Sequence, residues 1–205
     1  MSSTEEILCT TCFSRLTVAG EERLALEYKR KFASENHIDD FLSAFLFDQN
    51  TPVQSVIHSL KYNGKFKIGI FLGKTAAQIL STKLQNWEAD FIIPVPLFHS
   101  KKAERGYNQS FYIAKGLSSI LNIPVKANLT KRIRYTETQT ALSLEERKEN
   151  MLNAFDLKKR KSIEGSKIIL VDDVITTGST VRECGKTLKR NGAVKVFAFS
   201  VAIAN

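Results

Sequence analysis

The stretch KIILVDDVITTGSTVREC, residues 167–184, constrains the architecture more than any other part of the chain. Lys167 to Val171 is rich in Ile and Val without polar alternation, the pattern of a strand covered on both faces in a parallel sheet. From Ser179 the chain reads as a helix, STVRECGKTLKRNG, stopped by Gly192 as a left-handed C-cap. Between them lies a short loop, Thr176 to Thr180, with one glycine among hydroxyls. Strand, loop and helix in that order put the loop at the carboxyl end of a parallel strand, where open α/β sheets bind ligands.

The rest of the chain repeats the alternation. FLSAFLFDQ (41–49) reads as a strand. Thr51-Pro52 reads as N-cap and first residue of a helix that Gly64 stops. Residues 66–85 carry apolar side chains at helical spacing and predict one amphipathic helix. Phe91 to Ile93 is a buried-strand run ended by Pro94 and Pro96. Residues 108–124 predict a helix with the seam Ile113, Leu117, Ile120 and Leu121. Residues 125–133 predict a strand, SLEERKENML (143–152) a helix opened by the capping box Ser143–Glu146, and AVKVFAFSVAIA the last strand. The expected fold is α/β, a parallel sheet flanked by helices on both faces.

The loop also has a chemistry. Small hydroxyl residues around Gly178 let backbone N–H groups converge on an anion, assisted by the start of the next helix. Asp172 and Asp173, just before it, only accept hydrogen bonds when ionised, and so suit the donating hydroxyls of a sugar. A ribose phosphate satisfies both halves. Other readings compete. A receiver domain also has an Asp-Asp at a strand end, but there it opens the domain, whereas only 32 residues follow Asp173. A P-loop needs a lysine that this loop lacks, and Gly69-Ile-Phe-Leu-Gly73-Lys74-Thr75 has the wrong spacing and apolar residues that belong in a helix core. Read alone, the stretch also fits an acidic turn capping the following helix.

Charge is unevenly placed. Residues 1–50 hold 5 Lys/Arg against 9 Asp/Glu, and residues 51–205 hold 25 against 12, within a net +9. A basic body suits phosphate-rich ligands, small or polymeric, although charge alone serves solubility too. No apolar run is long enough to span a membrane and Met1 to Glu6 lacks a signal-peptide layout, so no membrane insertion and a cytoplasmic location are expected. Three cysteines do not make a disulfide framework.

With these residues in view, IILVDDVITTGST resembles the phosphoribosyl pyrophosphate motif of type I phosphoribosyltransferases. VIHSLKYNGKF, IIPVPLFHSKKAERGYNQS and TETQTALSLEERKENMLNAF, in that order, are similar to the ComF (ComFC) competence proteins over about residues 41–205. The resemblance implies a type I phosphoribosyltransferase-like sheet with a small N-terminal hood, and divides the chain into an appendage at 1–40 and a domain at 41–205.

It also implies roles. Asp172 and Asp173 would contact the ribose 2′ and 3′ hydroxyls, and Thr176, Thr177, Gly178, Ser179 and Thr180 the 5′-phosphate. The turn from Leu97 to Lys102 would be the pyrophosphate loop, with Lys101, Lys102 and Arg105 as counter-charges. Arg134 to Glu149, including Gln139 and Arg147, would be the flexible loop that closes over the site. Mg²⁺ would arrive with the diphosphate and keep several waters, with no protein metal cage. Single-stranded DNA is the implied partner, with a competence helicase or DNA-processing proteins beside it. Tyr62, Tyr107 and Tyr135, each next to a cation, would serve as stacking rings or as plain surface residues. The alternative is an active transferase that moves phosphoribosyl to an unidentified nitrogen acceptor and releases pyrophosphate, its acceptor chosen by the hood at residues 1–60. Cys9-Thr-Thr-Cys12 has metal-ligand spacing but supplies two of about four ligands. ComF relatives carry two such pairs, so the N-terminus is read as a zinc-finger remnant that begins after the first pair and is metal-poor.

Overall fold

The computed structural model describes residues 8–48, 51–134, 153–158 and 160–204. Its centre is a four-stranded parallel sheet in the order β1-β6-β5-β2. The strands are β1 (Asp40–Phe47), β2 (Phe91–Pro94), β5 (Lys167–Ile175) and β6 (Lys195–Ala204). The expected strands at 41–49, 91–93 and 167–171 and the last strand are all present. β5 runs four residues further than its apolar core, so Asp172 and Asp173 sit within the strand, with Asp172 beside Ser200 of β6.

The helices cover this sheet. Pro52 is the first residue of α3 (Pro52–Tyr62), as Thr51-Pro52 implied. The Thr51 hydroxyl does not cap the helix; it donates to the Asp48 carbonyl at 2.7 Å. The expected single helix over 66–85 is two, α4 (Phe66–Ile79) and α5 (Ser81–Gln85), because the backbone leaves helical geometry at Leu80 (φ −107°, ψ 16°). α7 (Gln109–Leu121) follows its N-cap Asn108 and packs on β5 and β2, while α4 packs on β1 and β6. α4 and α7 touch backbone to backbone: a Cβ at Gly73 would lie 2.1 Å from the Ile113 carbonyl oxygen, and one at Gly116 2.2 Å from that of Ile70. The Gly69–Thr75 stretch is therefore a helix-packing face, as its apolar residues implied.

α8 (Ser179–Arg190) packs on β5 and β6, and α2 (Glu21–Lys31) on β1. Leu16, Leu24, Phe32 and Ile38 join the same core as the sheet residues. Glu27, nearly inaccessible, takes ion pairs from Arg23, Arg30 and Lys31 at 2.8, 2.7 and 2.9 Å. That satisfies a carboxylate that would otherwise be costly to bury. Of the other helices, α1 (Thr10–Ser14) and α6 (His99–Arg105) are short.

The expected strand over 125–133 needs correction. Val125 makes one parallel bridge to Ile92, and the chain then leaves the sheet edge. Only Thr130–Arg132 (β3) forms a ladder, antiparallel to Phe155–Leu157 (β4), in a separate two-stranded sheet. The expected helix at 143–152 lies outside the described residues.

Candidate functional site

The site is built where β5 ends and α8 begins. Gly178 adopts φ +75°, a conformation that favours glycine, and a Cβ there would lie 2.9 Å from the Phe32 ring. Glycine is thus required twice, by backbone geometry and by the ring of Phe32, the residue after α2. The Thr177 hydroxyl accepts from the Ser179 amide at 3.4 Å and lies 3.0 Å from the Ser179 hydroxyl. No carboxylate occupies the first turn of α8, so nothing there offsets the partial positive charge of the helix start. Thr176 is exposed, and Thr177, Ser179 and Thr180 are half-buried, so all four hydroxyl residues face accessible space.

The two aspartates are held differently. Asp172 Oδ1 accepts from Ser110 Oγ of α7 at 3.1 Å and from the Asp173 amide at 2.9 Å. Asp173 Oδ1 accepts from the Val174 amide at 2.7 Å, while Oδ2 pairs with Lys61 Nζ at 3.1 Å. Burial pushes the Asp172 carboxyl up, to about 7, with repulsion from Asp173 next; the Asp173 amide, Lys61 and Ser110 oppose the rise. Asp172 nonetheless keeps intermediate exposure, so a ligand can reach it.

Two cations act on this pair, Lys61 on Asp173 and Arg132 on Asp172. Lys101 and Lys102 lie on α6, not in an open turn: the chain after β2 is extended only to Phe98, and α6 starts at His99. This corrects the expected loop from Leu97 to Lys102. Burial lowers the Lys101 ammonium, followed by repulsion from Arg105 and Arg132, and Lys61 contributes as well. Lys101 is thus within electrostatic reach of the Lys61 that sits on Asp173. Arg132 of β3 is lowered by burial and held up by the Asp172 carboxylate. The Arg105 guanidinium lies 5.3 Å from the centre of the Tyr62 ring, and with its amide turned to pair, Gln109 accepts from Arg105 Nε at 3.3 Å. Arg105 therefore ties α6 to the end of α3.

Sequence reasoning missed Lys61, Ser110 and Arg132 as site residues. Lys61 and Ser110 fall inside the quoted SLKYNG and ERGYNQS stretches, but no spacing rule joins them to Asp172. Tyr107, read as a stacking ring or a plain surface residue, donates its hydroxyl to the Leu60 carbonyl and packs its ring against Phe66 and Tyr112. Arg134 is exposed just after β3; Tyr135, Gln139 and Arg147 lie outside the described residues. Cys9 caps α1, its sulfur accepting from the Cys12 amide at 3.4 Å. Among the described residues no group of three or more His, Cys, Asp or Glu could hold a metal ion.

A parallel sheet, a carboxylate pair at a strand end and a hydroxyl loop opening the next helix define a phosphoribosyltransferase-like domain. The phosphoribosyl transferase domain family matches residues 107–205. The chain belongs to the ComF competence protein family: it is 35% identical over 161 residues to competence protein F of Haemophilus influenzae, covering 75% of this chain and 69% of that protein. It is 37% identical over 154 residues to the DNA utilization protein YhgH of Escherichia coli K12, covering 73% of this chain and 66% of the relative. The chain thus spans about two thirds of the length of these curated relatives. Among solved structures, the allosteric regulatory enzyme of purine biosynthesis is similar at 25% identity with a TM-score of 0.44, over 71% of this chain and 26% of that one. This chain spans only about a quarter of that enzyme, a likeness too slight to bear on activity.

Proposed function

We propose that the site binds phosphoribosyl pyrophosphate with Mg²⁺, and that the protein assists the handling of single-stranded DNA in natural transformation. The observation that carries the first part is the juxtaposition at the end of β5. Hydrogen-bond acceptors for ribose hydroxyls (Asp172, Asp173) stand between a loop suited to a monophosphate (Thr176–Thr180) and a cation cluster suited to a diphosphate (Lys61, Lys101). The donor set fits a magnesium ion that travels with its ligand: two adjacent carboxylates, one already tied to Lys61, and among the described residues no third acidic or imidazole group beside them. When bound, the ion would neutralise part of the diphosphate charge.

The second part rests on the relatives' names, competence protein and DNA utilization protein, and on the excess of Lys and Arg after residue 50. A cytoplasmic location follows from that role. The transferase alternative is favoured by one observation: both aspartates of the pair are present near the strand end, with Asp172 left partly exposed. Such an enzyme would release pyrophosphate when a nitrogen acceptor is supplied, and residues 1–60 would choose the acceptor.

Thermal unfolding with ligand tests the binding reading. At a hundredfold excess over Kd, binding to the folded state adds about 2.7 kcal/mol. For a chain of this size that is a Tm rise of roughly 5–10 °C. Phosphoribosyl pyrophosphate with Mg²⁺ should give the full rise, and ribose 5-phosphate or pyrophosphate alone a smaller one. No rise with the complete ligand at millimolar concentration contradicts the reading.

A further inference from the structure

Beyond the carboxyl end of the edge strand β2 lies a cavity of about 550 Å³ that Asp172, Asp173 and the loop 176–180 do not line. Its walls are Pro96 and Leu97 after β2, the first turn of α7, and β3 with the chain before it. Two features set its chemistry. Lys102, Lys131, Arg132 and Lys158 bring four cationic side chains to its rim, and no Asp or Glu lines it among the described residues. Its α7 wall is aromatic: Phe111 and Tyr112, both half-exposed, meet edge to face with centroids 5.3 Å apart.

The aromatic wall is fixed. Tyr112 lies 4.8 Å from Phe66, centroid to centroid, and the Lys115 ammonium lies 5.1 Å from the centre of Phe111. The cations are placed by different devices. Lys131 is paired with Asp156 at 3.2 Å, and the Arg132 guanidinium lies 5.5 Å from the Phe155 ring centre. Lys102 and Lys158 have no ion-pair partner among the described residues, and both are exposed.

We infer that this cavity holds one nucleotide of a single-stranded nucleic acid, its phosphate against Lys102 and Lys158 and its base against the Phe111–Tyr112 wall. The inference deepens the nucleic-acid part of the proposed function and rests on it. Three facts lead to this ligand class. The volume is that of a pocket for a small-molecule-sized group, not a flat contact. A rim of four cations, of which Lys131 is paired with a carboxylate, carries a net positive charge and selects an anion. Half-exposed rings beside them give the pairing by which single strands are held without sequence reading: charge for the backbone, an aromatic face for the base. An acidic peptide would use the cations and leave the rings idle. Arg132 belongs to this rim and also feels the Asp172 carboxylate, so the strand would pass beside the phosphoribosyl site.

The experiment is fluorescence anisotropy of labelled dT and rU oligonucleotides, and of an abasic strand of equal length, at several salt concentrations. Wild type is compared with Lys102→Ala/Lys158→Ala, with Phe111→Leu, and with Lys29→Ala/Lys74→Ala, which removes the same charge from α2 and α4. Circular dichroism and Tm confirm folding in each. The pocket double variant should lower the log–log salt slope by about 0.7, the contribution of one phosphate contact on a single strand. It should also lower affinity at low salt about tenfold, with the α2/α4 variant changing it less than twofold. Phe111→Leu should weaken binding of dT about fivefold or more and leave the abasic strand unaffected. Equal losses in the two double variants, equal effects of Phe111→Leu on both strands, or equal competition by polyglutamate of matched charge would overturn the assignment while leaving nucleic-acid binding in place. Absence of oligonucleotide binding by folded wild type at low salt overturns the nucleic-acid reading itself.

Discussion

Replacing Asp172 with Asn should stabilise the ligand-free protein at alkaline pH and leave it unchanged at acid pH. The folded state lifts the Asp172 carboxyl from 3.8 to about 7, through burial first and the Asp173 charge second. Between those values the folded chain keeps a proton that the unfolded chain has released. The unfolded state therefore binds fewer protons, and stability falls as pH rises through that window. A shift of this size corresponds to at most roughly 4 kcal/mol at about 1.4 kcal/mol per unit. Water reaches the half-buried side chain and screens the effect, so we expect about 2 kcal/mol. Asn keeps an oxygen for the Ser110 hydroxyl and the Asp173 amide, and it cannot ionise. Thermal unfolding of wild type and Asp172→Asn from pH 3 to pH 8.5 should show curves that coincide below about pH 4 and separate progressively up to about pH 7. At pH 8 the variant should melt roughly 4–8 °C higher, at about 2–4 °C per kcal/mol for this chain length. A variant less stable than wild type at pH 8, or a difference independent of pH, refutes the reasoning. The same substitution should weaken ligand binding, which would make this carboxylate a group kept for function at a cost in stability.

Gly178→Ala should lose about 1–2 kcal/mol from its left-handed backbone alone and more from the Phe32 ring 2.9 Å from the new Cβ, read by urea unfolding. Gly116→Ala should lose about 3 kcal/mol, because the new methyl group meets the Ile70 carbonyl at the α4–α7 crossing and neither backbone can yield; an unchanged urea midpoint would contradict that packing. Lys61→Met removes the ammonium 3.1 Å from Asp173, which is 8% exposed, and should cost about 1–3 kcal/mol at pH 8 and less at pH 5, where protonation relieves the carboxylate pair. A uniform loss across pH would show that Lys61 acts only by packing.

The parallel sheet was legible because its strands are buried on both sides and so read as unbroken apolar runs, KIILV most clearly. The start of α3 was legible for a local reason: proline is tolerated at the first helical position and poorly later. Where partners are distant, the sequence was less informative. Val125 to Ile133 has the composition of a strand, yet its ladder depends on Phe155–Leu157, which follows only after the segment outside the described residues. The break at Leu80 leaves the apolar periodicity of 66–85 intact, so a periodicity reading passes over it. The carboxylate pair and hydroxyl loop could be found because adjacent residues make them. Lys61, Ser110 and Arg132 reach the pair from α3, α7 and β3, and nothing in local spacing announces that. Tyr107 shows a packing role that sequence does not announce. An aromatic beside a cation looks like a stacking platform, but its hydroxyl holds Leu60, next to Lys61, and its ring is packed.

The central claim is that the residues at the end of β5 bind a phosphoribosyl diphosphate. Isothermal titration of phosphoribosyl pyrophosphate with Mg²⁺ into wild type and into Asp172→Asn/Asp173→Asn tests it most directly. The account expects saturable one-site binding by wild type and a loss of at least tenfold in the folded double variant, about 1.4 kcal/mol or more. Equal affinity in the two proteins, or no binding by wild type, would contradict it.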